Sequence, residues 1–97
     1  MTKADIVDVI AAGTGLTKVE TEATIDAFLK TMSEALIRGD RVEFRKFGSF
    51  DIKQRAPKKA RNPGTGQVVE LPSRMVPVFK PSKLLREKVN KALGQHL

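Results

Sequence analysis

One stretch of this 97-residue chain has nothing to bury. Between Gln54 and Gln67 the only hydrophobic residues are Ala56 and Ala60, too little apolar area to hold the segment against a core. At its centre stands Asn62-Pro63-Gly64-Thr65-Gly66, a turn composition: proline presets φ at the second turn position, and Gly64 is expected to supply the positive φ of a type II third position. Extended patterns flank it, Asp51-Ile52-Lys53 before and Val68, Val69 and Leu71 leading to Met75, Val76, Val78 and Phe79 after. The segment therefore reads as a hairpin arm, about residues 53–74, that leaves the body of the protein. Ten residues of strand at about 3.3 Å each reach about 33 Å.

The rest of the chain supplies that body. Thr2 with Asp5 forms a capping box for a first helix, whose Ile6, Val9 and Ile10 recur at helical spacing and which Gly13 and Gly15 end. Thr17 with Glu20 forms a second box, opening a helix that runs to about Arg38, with Gly39 as its stop. Ile25, Phe28, Leu29, Met32 and Leu36 make one stripe of this helix, and Val19, Ala23 and Ala27 a neighbouring one. So wide an apolar surface exceeds what one short helix can cover, which implies a second chain. The period changes to two in Arg41-Val-Glu-Phe-Arg45, a strand. Lys46 to Phe50 then reads as a turn, and an extended pattern resumes at Asp51. Ser82 caps a last helix, 82–94, carrying Leu84, Leu85, Val89, Ala92 and Leu93.

The expected fold is α+β, one domain over 1–97. It has a helical base (1–40), a three-stranded antiparallel sheet extended into the basic arm (41–81), and a C-terminal helix, the whole completed as an intertwined dimer. Without the arm, roughly 75 residues remain, near the size at which a lone core is marginal. Phe28, Phe44, Phe47, Phe50 and Phe79 are expected in the core or dimer interface. A base-stacking platform is the sharper alternative for the sheet aromatics, weakened because the arm itself has no aromatic residue.

Charge separates the two halves. Overall, 18 Lys and Arg stand against 11 Asp and Glu, a net charge of +7. Residues 1–40 hold four bases and seven acids, a net of −3, while residues 41–97 hold 14 bases and four acids, a net of +10. Five bases fall in Lys53–Arg61, and no acid lies between Asp51 and Glu70. That pattern implies a polyanionic partner, nucleic acid before an anionic membrane surface. Catalysis lacks its usual groups. There is no cysteine, and the one histidine is His96, next to the last residue, so thiolate, histidine and Cys-zinc chemistry have no anchor. Gly64-Thr65-Gly66 lacks the lysine of a phosphate loop. No cofactor or metal is expected. With no signal sequence and no apolar run long enough to span a membrane, the chain is expected in the cytoplasm.

Lys53, Arg55, Lys58, Lys59 and Arg61 suit phosphate and groove contact. A two-stranded ribbon, its strands about 4.8 Å apart, fits a minor groove about 6 Å wide only if the groove opens and the duplex bends. Pro63, apolar and rigid at the tip, suits a wedge between base pairs at such a kink; its simpler reading is a turn residue alone.

Three motifs carry a family resemblance: Phe47-Gly48-Ser49-Phe50, Arg61-Asn62-Pro63 followed by Thr65-Gly66, and Val76-Pro77-Val78-Phe79-Lys80-Pro81. With these in order and at the expected separations, the chain resembles the bacterial histone-like HU and integration host factor proteins from near its first residue to about Val89. The likeness implies a dimer whose two arms wrap double-stranded DNA in the minor groove, Pro63 intercalating with Arg61 and Asn62 beside it, and a nucleoid-associated, DNA-bending role of low sequence specificity. It further implies that Lys3, Lys80, Lys83 and Arg86 hold flanking phosphates; Lys46 and Arg74 complete the candidate contacts. Lys46, Ala60, Gly64 and Ser82 depart from the family pattern. A homodimer is the first expectation. Arg55-Ala-Pro-Lys and Arg41 to Arg45 lean toward the integration host factor side, so one subunit of a sequence-preferring heterodimer is the alternative. An RNA-binding structural protein is a more distant one.

Overall fold

The computed structural model describes residues 1–94, in the order α1 (Lys3–Thr14), α2 (Lys18–Ile37), β1 (Val42–Phe44), β2 (Gly48–Arg55), β3 (Lys58–Arg61), β4 (Val68–Leu71), β5 (Arg74–Pro81) and α3 (Lys83–Gly94). His96 lies outside the described residues. The helix ends follow from local chemistry. At α1 the capping box closes: Thr2 Oγ1 accepts the Asp5 N–H, and the Asp5 carboxylate accepts the Thr2 N–H at 2.8 Å. At α2 only half of the expected box forms. Thr17 Oγ1 accepts the Glu20 N–H at 3.1 Å, but the Glu20 carboxylate takes the Thr17 hydroxyl instead of its backbone N–H. Gly39, at φ 86°, then ends α2 in a Schellman motif: its N–H reaches Leu36 O and that of Asp40 reaches Ala35 O. At α3, Ser82 Oγ accepts the Leu85 N–H at 3.1 Å, as its cap position predicts.

β1, β2 and β5 form an antiparallel sheet in that order, registered by Val42↔Phe50 and by Gly48↔Pro81 through Arg55↔Arg74. The β1–β2 turn is tighter than the sequence pattern implies. Phe47 N–H bonds back to Phe44 O at 3.0 Å, and β2 begins at Gly48 rather than Asp51. Closing the chain this sharply puts Lys46 at φ 68°, the one non-glycine residue with positive φ among the described residues. Gly48 follows at φ 158°, where an added Cβ would lie 2.5 Å from the backbone oxygen of Lys80 and 2.7 Å from the Phe79 ring, so only glycine fits.

Two expectations for the arm are corrected. The ribbon is not continuous: β3 and β4 form a separate two-stranded ladder, Lys58↔Leu71 through Arg61↔Val68. Prolines at 57 and 72 interrupt both strands, since proline has no N–H for the ladder. The tip is also not a type II turn with a left-handed Gly64; the positive φ, 74°, belongs to Gly66. Asn62 sets this geometry. Its Oδ1 accepts the Gly64 N–H at 2.9 Å, its carbonyl accepts the Gly66 N–H, and its own N–H donates to Gln67 O, both at 2.7 Å. The loop is thereby held one helical turn wide before the strands pair.

Burial within the single chain is slight. Among the described residues the buried hydrophobic side chains are Val7 and Ala11. The five phenylalanines do gather: Phe44 lies 5.6 Å from Phe28, 6.5 Å from Phe47 and 6.4 Å from Phe50, and Phe79 lies 4.8 Å from Phe50 and 5.2 Å from Phe47, centroid to centroid. Yet Phe28, Phe47 and Phe79 remain 48%, 47% and 42% exposed. The radius of gyration, 18.6 Å, exceeds the about 13 Å of a compact chain of this length.

Candidate nucleic-acid interface

Side chains alternate across a strand, so register decides which charges share a face. On β2 and β5, Lys53, Arg55, Arg74 and Lys80 fall on one face, opposite the one carrying Phe50, Ile52, Pro77 and Phe79. On the arm ladder, Lys59 and Arg61 share one face, with Glu70 and Val68 opposite them. Lys58 falls on the other face, across from Leu71 and beside Ala60 and Val69.

These cations are little engaged. Among the described residues, Lys53, Arg55, Lys58, Arg61, Arg74, Lys80 and Arg86 form no ion pair. Lys59 approaches Glu70 only at 4.0 Å, with both side chains mostly exposed. Lys83, the first residue of α3, pairs with Glu87 at 3.9 Å. Exposed pairs of this kind contribute little and exchange readily for a phosphate. Lys46 sits in the β1–β2 turn, next to the start of α3, where the Ser82 N–H bonds Phe47 O at 2.9 Å. At the tip, Pro63 is exposed between the two ends of the Asn62 loop. Because Gly64 occupies the Asn62 Oδ1, the Nδ2 group is what that side chain offers outward.

Lys3 is differently placed. It belongs to the helical base, where its Nζ lies 2.9 Å from Asp26 Oδ1 and 3.6 Å from Glu22 Oε1. Its hydrogen bond to Asp26 and the charge of that carboxylate raise its pKa above the usual lysine value. Contact with a phosphate requires it to leave both carboxylates. Sequence reasoning missed this pair because Lys3 and Asp26 meet only when α1 packs on α2, 23 residues apart. The aromatic cluster forms its own feature, an apolar groove of ≈ 450 Å³ lined by residues of α2 and the sheet, including Phe28, Met32, Leu36 and Phe44. No group of acidic or histidine side chains able to hold a metal occurs among the described residues. Nor is any described helix long and apolar enough to cross a membrane.

A small helical base that projects a cationic β-ribbon defines a nucleic-acid-binding arm protein. The bacterial DNA-binding protein family matches residues 1–90, and the chain belongs to that family. It is similar to the integration host factor subunit beta of Pseudomonas putida, 45% identical over 97 residues that cover 99% of each chain. It is similar also to the DNA-binding protein HU of Geobacillus stearothermophilus, 39% identical over 89 residues, covering 92% of this chain and 99% of that one. Among solved structures, an Anabaena HU–DNA cocrystal structure superposes with a TM-score of 0.85 at 40% identity, over 92% of this chain and 97% of that one. The chain is thus an architectural DNA-binding protein of the HU and integration host factor kind.

Proposed function

We propose that two copies of this chain clamp double-stranded DNA between their arms, enter the minor groove and bend the duplex by wedging Pro63 between base pairs, as part of the bacterial nucleoid. The observation that carries the reading is the excess of cations along the ribbon: Lys53, Arg55, Arg74 and Lys80 share one face of β2 and β5 with a single acid, Asp51, and Lys59 and Arg61 share one face of the arm with Glu70, most of them without an ion-pair partner. A sheet face so charged is unfavourable in isolation and suits a polyanion that tracks along the ribbon. Arg61 and the Asn62 Nδ2 group flank Pro63 at the groove, while Lys46, Lys80, Lys83 and Arg86 take phosphates beside the body. Lys3 joins them at the far end of the site by exchanging Asp26 for a phosphate. Lys58, on the opposite face, meets the far wall of the groove or its backbone. Affinity comes chiefly from counterion release, and site preference from the deformability of the DNA. A homodimer satisfies the exposed aromatic groove without a second gene product.

The test is a salt titration on a duplex of random sequence. The logarithm of affinity falls with the logarithm of salt concentration by about 0.9 for each phosphate neutralised, so the slope is steep for several contacts. A nearly flat titration contradicts the reading. Pro63→Ala separates the wedge from the charge: it lowers the bend in an energy-transfer assay on end-labelled duplex while affinity changes by less than about tenfold, because every cation remains. An unchanged end-to-end distance removes the wedge from the mechanism.

A further inference from the structure

We propose that Pro57 and Pro72 form a joint at the base of the arm, and that the Arg55–Arg74 pair beside it keeps this joint loose until an anion of the DNA backbone neutralises it. The inference rests on the arm meeting DNA as described above.

Three observations converge on one level of the ribbon. First, Arg55 pairs with Arg74 at the end of the body ladder, and Lys58 with Leu71 at the start of the arm ladder. The two residues between them on each strand match in number, so Ala56 stands across from Ser73 and Pro57 across from Pro72. Two prolines face one another, and neither has an N–H to give. Their φ near −65° also departs from the about −140° of an antiparallel strand, which turns the ribbon at this point. Second, packing does not fill the gap. An open cavity of ≈ 380 Å³ is lined by Pro57, Lys58, Lys59, Glu70, Leu71 and Pro72, and the nearest cross-strand brace is a side-chain bond, Gln54 Nε2 to Ser73 Oγ at 3.0 Å. Third, the last rung before the joint sets two guanidinium groups directly opposite on one face, with no ion-pairing carboxylate for either among the described residues. Like charges so placed weaken a rung.

The matched spacing makes the joint swing rather than slip. Register is the same on both sides, so the cross-strand pairing of the arm is kept while the arm changes its angle. The residues before the prolines, Ala56 and Leu71, are restricted to extended conformations, which limits the motion to a bend of the ribbon. Beyond the joint, four rungs without a core are marginal alone. Pro57 and Pro72 are therefore positioning residues: they set the angle at which Pro63 meets the duplex, and the arginine pair ties that angle to phosphate contact.

The experiment uses the free protein. Amide hydrogen exchange is measured across residues 58–61 and 68–71, together with the local mobility of a dye at Thr65→Cys, a unique label because the chain has no cysteine. Pro57→Thr with Pro72→Thr returns two donors to the ladder and slows arm exchange about tenfold while damping the dye. Either single replacement gives a smaller slowing of the same sign and serves if the double variant does not fold. Arg74→Gln slows exchange about twofold to fivefold at low salt, an effect that fades as salt screens the pair. Arm amides that exchange as fast in the proline variants as in the unaltered chain overturn the joint. No change in Arg74→Gln overturns the coupling to charge. None of these measurements contains DNA, so their failure leaves the salt titration standing, and a flat salt titration leaves the joint standing.

Discussion

Cutting the arm away at its base abolishes bending and removes most of the affinity for duplex DNA. The replacement is set by the register. Arg55↔Arg74 is the last rung of the body ladder, so residues 56–73 can be exchanged for Asn-Gly, a two-residue hairpin turn that suits the twist of the strands. The change removes Lys58, Lys59 and Arg61 from each protomer, six cations in a dimer. If all six neutralise phosphates, the slope of log affinity against log salt becomes shallower by about 5, and affinity near physiological salt falls by at least about a hundredfold. Pro63 goes as well, and with it the wedge. The body should be unharmed, because residues 56–73 contribute no buried side chain to it and, among the described residues, the side-chain hydrogen bond that ties them to it is the one Gln54 Nε2 donates to Ser73 Oγ. Anisotropy titrations, an energy-transfer bending assay and a thermal melt on one preparation decide the matter. An armless protein that still grips and curves the duplex as well as the whole chain would show that the ribbon is not the clamp.

What could be read in the sequence was local chemistry. Caps at Thr2, Thr17 and Ser82, the stop at Gly39 and the core-less arm around Pro63 each depend on residues within a few positions of one another. What could not be read depends on partners brought together by folding. The left-handed residue at the tip is Gly66 rather than Gly64 because the Asn62 side chain captures the Gly64 N–H, a choice that composition alone leaves open between two glycines. The break in the ribbon needs the register: Pro57 and Pro72 look like unrelated residues until Arg55 is seen opposite Arg74. Counted outward from the expected four-residue turn Asn62–Thr65, Pro57 would have faced Glu70; it meets Pro72 only because the loop closes between Asn62 and Gln67. Likewise, Lys3 carries no local sign of Asp26, and the left-handed backbone of Lys46 follows from a turn tighter than the alternation of β1 and β2 implied. The family resemblance pointed to the aromatic motifs, and Phe44, Phe47, Phe50 and Phe79 do converge, although Phe47 and Phe79 stay nearly half exposed in the single chain.

Phe44→Ala, at the centre of that convergence, abolishes stable folding at micromolar concentration. The Phe44 ring neighbours Phe28 on α2, Phe47 in the β1–β2 turn and Phe50 on β2, so it joins the helical base to the sheet. Truncating a packed phenylalanine costs about 3–5 kcal/mol, which is a large share of the about 5–15 kcal/mol that holds a typical domain. Here the reserve is smaller, since one chain buries only Val7 and Ala11 among its described hydrophobic residues and leaves Leu29, Phe28 and Phe79 between 42% and 48% exposed. If a second chain fills the groove along α2, as the proposed clamp requires, it supplies the missing stability, and folding and association become one equilibrium. In the unaltered chain the melting temperature should rise with protein concentration over a hundredfold range, and the mass in solution should be that of two chains. Phe44→Leu, which keeps most of the volume, should preserve the dimer with a lower melting temperature, whereas Phe44→Ala should give an unfolded spectrum that DNA only partly rescues. A melting temperature independent of concentration, with the mass of a single chain, would mean that the exposed aromatic groove is not where a partner sits, and the two-armed clamp would lose its geometry.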